Sequence, residues 1–384
     1  MEKQNIVIII VICISFLALM YVLNSKTSNL IEERWKEDIT NKRYSYFKFQ
    51  EDFSTTNKSN TSLQLFKKVF MKHDIPYSYQ FKNANIVFFN LIVHYIPLKT
   101  IVHRNKNIKF IYSLLSIDKF ASKSELALIL RKHLSANEFA SIMPKTYSLP
   151  TDLNQLEREF DSNKTYILKK NLQRQKGCII TRTKSDISAK NIQREDFVVC
   201  QELLKDPFCI NGHKINIRRY LLIIVKSSVE MYVYNDGFMY YAPNQYSNTS
   251  ISPDVHITTG YIDRSIYEKN PLTYLSFLQF LNPDSRELLE KNTIRMFTMI
   301  KKSYHNILMK HDGNNKHQTN FMICGCDVAV DKSLDCKLME INKGPDLGGK
   351  DDTDTRVKTM LIEDSLHQVG ILRRNNLSDN FIRI

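Results

Sequence analysis

The chain has 384 residues, 43% of them hydrophobic and 24% charged, with ten glycines and ten prolines; this allows two or three packed domains with a large core and excludes a disordered chain. Its 54 basic and 40 acidic side chains give a formal charge of +14, which draws polyanions (nucleic acid, anionic lipid or acidic protein tails) without choosing among them. No arginine-rich block, RNA-binding aromatic motif or zinc-finger spacing is present, so no specific nucleic-acid partner is expected.

Residues 6–23, IVIIIVICISFLALMYVL, are apolar except for Ser15. Eighteen residues at ~1.5 Å each reach about 27 Å, just enough to span a bilayer. The NSKTSN that follows offers only a weak cleavage site. The expectation is a single-pass signal anchor over residues 1–24, contacting the membrane through 6–23. Lys3 before it and Lys26, Arg34 and Lys36 after it give a modest bias that keeps the C-terminal flank in the cytosol. Residues 25–82, rich in Ser, Thr and Asn around 54–62, predict a partly helical juxtamembrane stalk. The seven scattered cysteines, with no CxxC pair, point to reduced thiols and a cytosolic setting. Cys324 and Cys326 could join Cys336 in a thiol metal site, though buried strand cysteines are far commoner.

From residue 83 to 150 the pattern predicts an α/β subdomain. NIVFFNLIV (85–93) and IKFIYSLL (108–115) read as strands, and Ser122-Lys-Ser-Glu125 caps an amphipathic helix. MPKTYSLP (143–150) reads as an extended connector. DLNQLEREF is a helix, and TYILKK (165–170) a strand ending in lysines. FVVCQELL (197–204), KINIRRYLLIIV (214–225) and MYVYNDGFMYY (231–241) are strands, with Asn235-Asp-Gly237 as a hairpin-turn signal. Residues 271–311 have helical periodicity. Strands in runs separated by helices, with a late antiparallel hairpin, predict a mixed α+β enzyme, with 151–350 as its catalytic region and 351–384 as a helical tail.

The run GCDVAVDKSLDCKLMEINKGPDLG (325–348) carries the most chemistry. It reads as two strands joined by a four-residue turn, Lys332–Asp335, a register that sets Asp327 opposite Glu340. Like charges across a ladder repel, so this pairing normally needs a cation between them. Asn342 points to the same face, and two acids with an amide suit Mg²⁺ sharing phosphate oxygens. An ordinary hairpin with a polar wet face fits the same residues. Lys169 ends a strand before the polar loop Gln173-Arg-Gln-Lys-Gly177, an arrangement that holds nucleotide phosphates or makes a plain basic turn. In KINIRRY, Lys214, Asn216 and Arg218 share a face that suits either a cleft or a wet surface, and Arg219 points away from it.

Taken in order, MPKTYSLP, YILKK, VVCQELLKDPFCINGHKINIRRYLL, YNDGF, HITTGY, GCDVAVD and LMEINKGPDLG resemble the landmarks of the tubulin–tyrosine ligase-like family over roughly residues 110–350. The resemblance implies the ATP-grasp fold, with mixed and antiparallel sheets sandwiching the nucleotide. It also implies an ATP-dependent ligase joining a carboxylate to an amine through an acyl phosphate. Its partners would be a free amino acid and an acidic protein, tubulin tails being the example, and the chain would act as a monomer. Carried over residue by residue, Lys169 would contact phosphates, and Gln201, Glu202, Leu203 and Leu204 would form the adenine hinge through their backbones. Lys214 would reach the ribose side, and Arg218 would stabilise the transferring phosphoryl group. Asp327, Glu340 and Asn342 would hold Mg²⁺ and clamp the phosphates. Departures are Lys170 in place of a proline, a glycine-rich loop reduced to Gly177, Asn216 where the pattern has an acid, Tyr240 where it has a second arginine, and Thr259 where it has an asparagine. These leave open altered substrate choice, a weakened nucleotide-binding scaffold, or a ligase of small molecules.

Overall fold

A computed structural model describes residues 44–49, 61–89, 99–100, 102–171, 177–260, 262–313, 317–373 and 380–384. Thirteen strands occur among them: β1 (Tyr46–Phe49), β2 (Ile86–Phe89), β3 (Phe110–Tyr112), β4 (Thr146–Ser148), β5 (Tyr166–Lys170), β6 (Cys178–Thr181), β7 (Phe197–Glu202), β8 (Cys209–Ile210), β9 (His213–Val225), β10 (Val229–Gln245), β11 (Thr319–Val330), β12 (Cys336–Asn342) and β13 (Phe381–Arg383). Nine form one sheet in the order β1-β2-β3-β11-β9-β10-β13, with β12 added to β11 and β8 to β9. Its β1-β2-β3-β11 end is parallel, and the remainder is antiparallel. The other four make a small antiparallel sheet, β4-β7-β5-β6. The expected mixed α+β architecture with two sheets is present.

The membrane part of that expectation is corrected. No helix among the described residues is long and apolar enough to cross a membrane. The run 6–23 lies outside the described residues, so no spanning helix and no single-pass placement enters the account below.

Strand β9 shows how sequence sets the sheet. Ile215, Ile217, Leu221 and Ile223 alternate onto one face and are buried in a core shared with the helices Lys123–His133 and Pro283–Asp312. Burying each such side chain contributes roughly 1.5–3 kcal/mol. A slip of one residue would drive Lys214 and Arg218 into that core instead, so the register is strongly specified. Ser122 caps the helix that packs here, its hydroxyl accepting from the Glu125 amide. The small sheet has its own core, built from Tyr147, Tyr166, Leu168, Phe197 and Cys200 with Leu156 and Ile192.

Three local expectations change. MPKTYSLP is no mere connector, because Thr146–Ser148 pairs with β7 and completes the small sheet. Asn235-Asp-Gly237 does not turn the chain; β10 runs through it with a bulge between Val233 and Gly237. Asp236 turns its carboxylate to the Gly237 and Leu275 amides, and a Cβ on Gly237 would lie 2.1 Å from the Arg218 carbonyl oxygen. The glycine thus serves a close strand approach rather than a turn. The periodic stretch 271–311 is two helices, Tyr274–Phe280 and Pro283–Asp312, divided where Asn282 caps the second and Pro283 begins it.

Candidate active site

One face of the large sheet gathers the polar residues. Arg218 on β9 is the ladder partner of Asp327 on β11, and Asp327 is in turn opposite Glu340 on β12. The pairing expected from the sequence is therefore present, but the path to it differs. The ladder closes at Val330–Cys336, one residue earlier than expected, and Met339 is an unpaired bulge that restores the register before Glu340. The turn is held by Asp331, whose Oδ1 accepts from the Ser333 and Asp335 amides.

Arg218 Nε and Nη2 donate to the two oxygens of Asp327 at 2.5 and 3.0 Å, with both side chains largely buried. Burial, together with nearby Glu340, pushes the Asp327 carboxyl up to about 6 despite Arg218. Burial also acts to raise Glu340. Bonds from Asn342 and Asp327, with Lys123 and Lys169 nearby, outweigh it and hold Glu340 below its usual value. Asn342 Nδ2 donates to Glu340 Oε1 at 3.0 Å, so all three residues expected at a metal share one face. Among the described residues no group of three or more His, Cys, Asp or Glu is placed for a metal. Two acids and an amide suit Mg²⁺ only together with phosphate oxygens. Cys324, Cys326 and Cys336 are buried; burial pushes the first up to about 12, the last up to about 11 and Cys326 well above its usual value. They behave as core thiols rather than ligands.

The small sheet supplies the opposing lysine. Lys169, 8% exposed, donates to Gln201 Oε1 at 2.8 Å, and Gln201 Nε2 donates to Thr146 Oγ1 at 2.8 Å. Burial pulls the Lys169 ammonium down, partly offset by Glu340. Lys170 turns away to Glu195 and the Phe197 ring. Gln201 is paired on both sides within the sheet. The Glu202 and Leu203 amides are already donated to Lys145 O and Thr165 O. Glu202's carboxylate meets Lys164. Lys214 is 4% exposed; burial, then Lys169, brings its ammonium down to about 8.

Lys123 was not anticipated. It lies 4.0 Å from Glu340, yet its sequence setting reads only as the first turn of a capped helix. Gly325 also escaped notice. It faces Tyr220 and Asn342 across its two ladders, and a Cβ there would come within 3.2 Å of Arg218 and 2.9 Å of Pro345.

The sequence model for the "Tubulin-tyrosine ligase family" matches residues 113–377. The chain belongs to this family. It is 28% identical over 289 residues to tubulin polyglutamylase TTLL6 of Mus musculus, covering 66% of this chain and 34% of the mouse protein. Probable tubulin polyglutamylase TTLL9 of Rattus norvegicus is 27% identical over 200 residues, 50% of this chain and 42% of the rat protein. Tubulin polyglutamylase TTLL13 of Homo sapiens is 25% identical over 255 residues, 60% of this chain and 31% of the human protein. The chain thus spans about a third to two-fifths of the length of these relatives.

Within this tubulin–tyrosine ligase family member the residues fit a magnesium nucleotide. Lys214 makes no salt bridge among the described residues, and burial pulls its ammonium, like that of Lys169, below the usual lysine value. An anion with several oxygens relieves both. Asn216 Oδ1 is buried without a hydrogen-bond partner, an open acceptor on the same face. The paired acids Asp327 and Glu340 add the oxygen donors that Mg²⁺ takes.

Proposed function

We propose that the chain is an ATP-dependent carboxylate–amine ligase adding an amino acid to an acidic protein segment. The observation that carries this reading is the meeting of Arg218, Asp327, Glu340 and Asn342 on one sheet face, with Lys169 close enough to Glu340 and Asp327 for their charges to act on it. ATP, when bound, supplies a phosphoryl group that turns the acceptor carboxyl into an acyl phosphate, which an amine then attacks to form an amide and release phosphate. Asp327, Glu340 and Asn342 would hold Mg²⁺. Lys169, Lys214 and Lys123 would neutralise phosphate charge, and Arg218 would lie against the group in transfer. The Leu204 amide would face adenine, with Gln201 bracing Lys169.

The relatives' names supply tubulin as the acceptor and glutamate as the amino acid of the proposal, and the acidic segment modified would then be a tubulin tail. An excess of basic residues suits such a tail. A second reading, a nucleotide-binding scaffold without ligation, is favoured by Tyr240 and Thr259. Against it, decay would erode costly paired acids first, and both remain. The test is ADP release by the full chain with Mg²⁺-ATP, glutamate and tubulin. The ligase reading expects release that stops with Glu340→Gln; ATP binding without release on tubulin or any acidic peptide would leave the scaffold.

A further inference from the structure

Several contacts meet at the middle of β9. Asp327 grips the Arg218 guanidinium along one edge, and the Tyr240 ring lies under it, 5.0 Å from guanidinium carbon to ring centroid. Tyr240 is the direct cross-strand partner of Asn216. Asn216 faces Ala329 on its other side, and its Oδ1 has no partner. The Tyr240 ring is confined beside Gly260, where a Cβ would come 2.8 Å from Cε1. The two positions at which an acid and a second arginine were expected therefore form one cross-strand pair, and both members are neutral. Changing either alone would set a new charge on the face that carries Arg218. An arginine at 240 would repel it, and an aspartate at 216 would compete with Asp327 for it.

We infer that Asn216 and Tyr240 act as one neutral unit that seats Arg218, with Tyr240 a positioning residue whose ring face holds the guanidinium against Asp327. A cation over an aromatic face is attracted without a second charge being buried. The pair therefore adds no net charge beside Arg218. Where Arg218 acts rests on the ligase reading; the coupling of the two residues does not.

The test compares the full chain with Asn216→Asp, Tyr240→Arg and the double substitution, by thermal unfolding without nucleotide and by calorimetric binding of Mg²⁺-ATP. Each single change is expected to lower the midpoint by several degrees and weaken binding at least ~10-fold, while the double regains most of both, a coupling typical of contacting residues. Additive effects, about 100-fold weaker binding in the double, overturn the inference, as do singles without effect. Tyr240→Phe and Tyr240→Leu decide should the arginine variants not fold. Phe should keep turnover within ~3-fold, whereas Leu should lower kcat at least ~10-fold with KM for ATP nearly unchanged; a Leu variant equal to wild type overturns the seating. Failure of the ligase reading shows separately, as coupling in unfolding with no ADP released by the wild type.

Discussion

Asp327 pairs with Arg218 and is proposed to hold a cation as well, and burial, with Glu340 beside it, weakens its acidity despite Arg218. Because its folded value is raised to about 6, the carboxyl takes up a proton on folding between about pH 4 and 6. The stability it contributes is full below about 4 and lost as pH rises through 6. A cation that needs the ionised form shows the opposite trend. The thermal shift given by Mg²⁺-ATP should therefore be small at pH 5 and grow through pH 6, and Asp327→Asn should flatten that rise. Lys214 gives the complementary case. Its folded value of about 8 lies below the unfolded value, so stability is depressed below pH 8 and recovers toward pH 10.5. Lys214→Met should stabilise the nucleotide-free protein by about 1–3 kcal/mol at pH 7 and weaken Mg²⁺-ATP at least ~10-fold. Unfolding curves and calorimetry check both halves; a destabilised variant would show that Lys214 is structurally paired. Glu340→Gln should leave the fold intact and cut ADP release at least ~100-fold.

At the level of elements, four strands deliver the site because alternation aims every second side chain at one face. That rule made Lys214, Asn216, Arg218 and the Asp327–Glu340–Asn342 set legible from sequence. The hairpin register came out correct through two offsetting differences, an early ladder closure and the bulge at Met339. A bulge leaves no mark in composition, so counting pairs could not reveal it. Asn235-Asp-Gly237 was misread for a related reason: turn-forming residues also serve a bulge and a close strand approach. Gly237→Ala should cost about 1–3 kcal/mol by overpacking against the Arg218 carbonyl. Equilibrium unfolding measures this, and a neutral result would mean the strands separate freely there. Lys123 stayed hidden because a capped helix start looks alike whether or not it points at a site.

For the whole molecule, two sheets with separate cores present Lys169 from one and Lys214 with the acids from the other, so a bound nucleotide should tie them together and raise the unfolding midpoint with its concentration. The family was legible because seven short landmarks keep their order over most of the described chain, although no one of them is specific. The membrane anchor was not, since apolar length alone carried it and no helix among the described residues can cross a bilayer. Ligation itself is tested most directly by incubating the full chain with Mg²⁺-ATP, isotope-labelled glutamate and tubulin, then weighing the tubulin tail peptides by mass spectrometry. Label joined to a tail carboxyl through an amide, dependent on ATP and absent with Glu340→Gln, is the predicted result. Unlabelled tails in the presence of bound Mg²⁺-ATP, with no other labelled amino acid or acidic acceptor taken up, would contradict it.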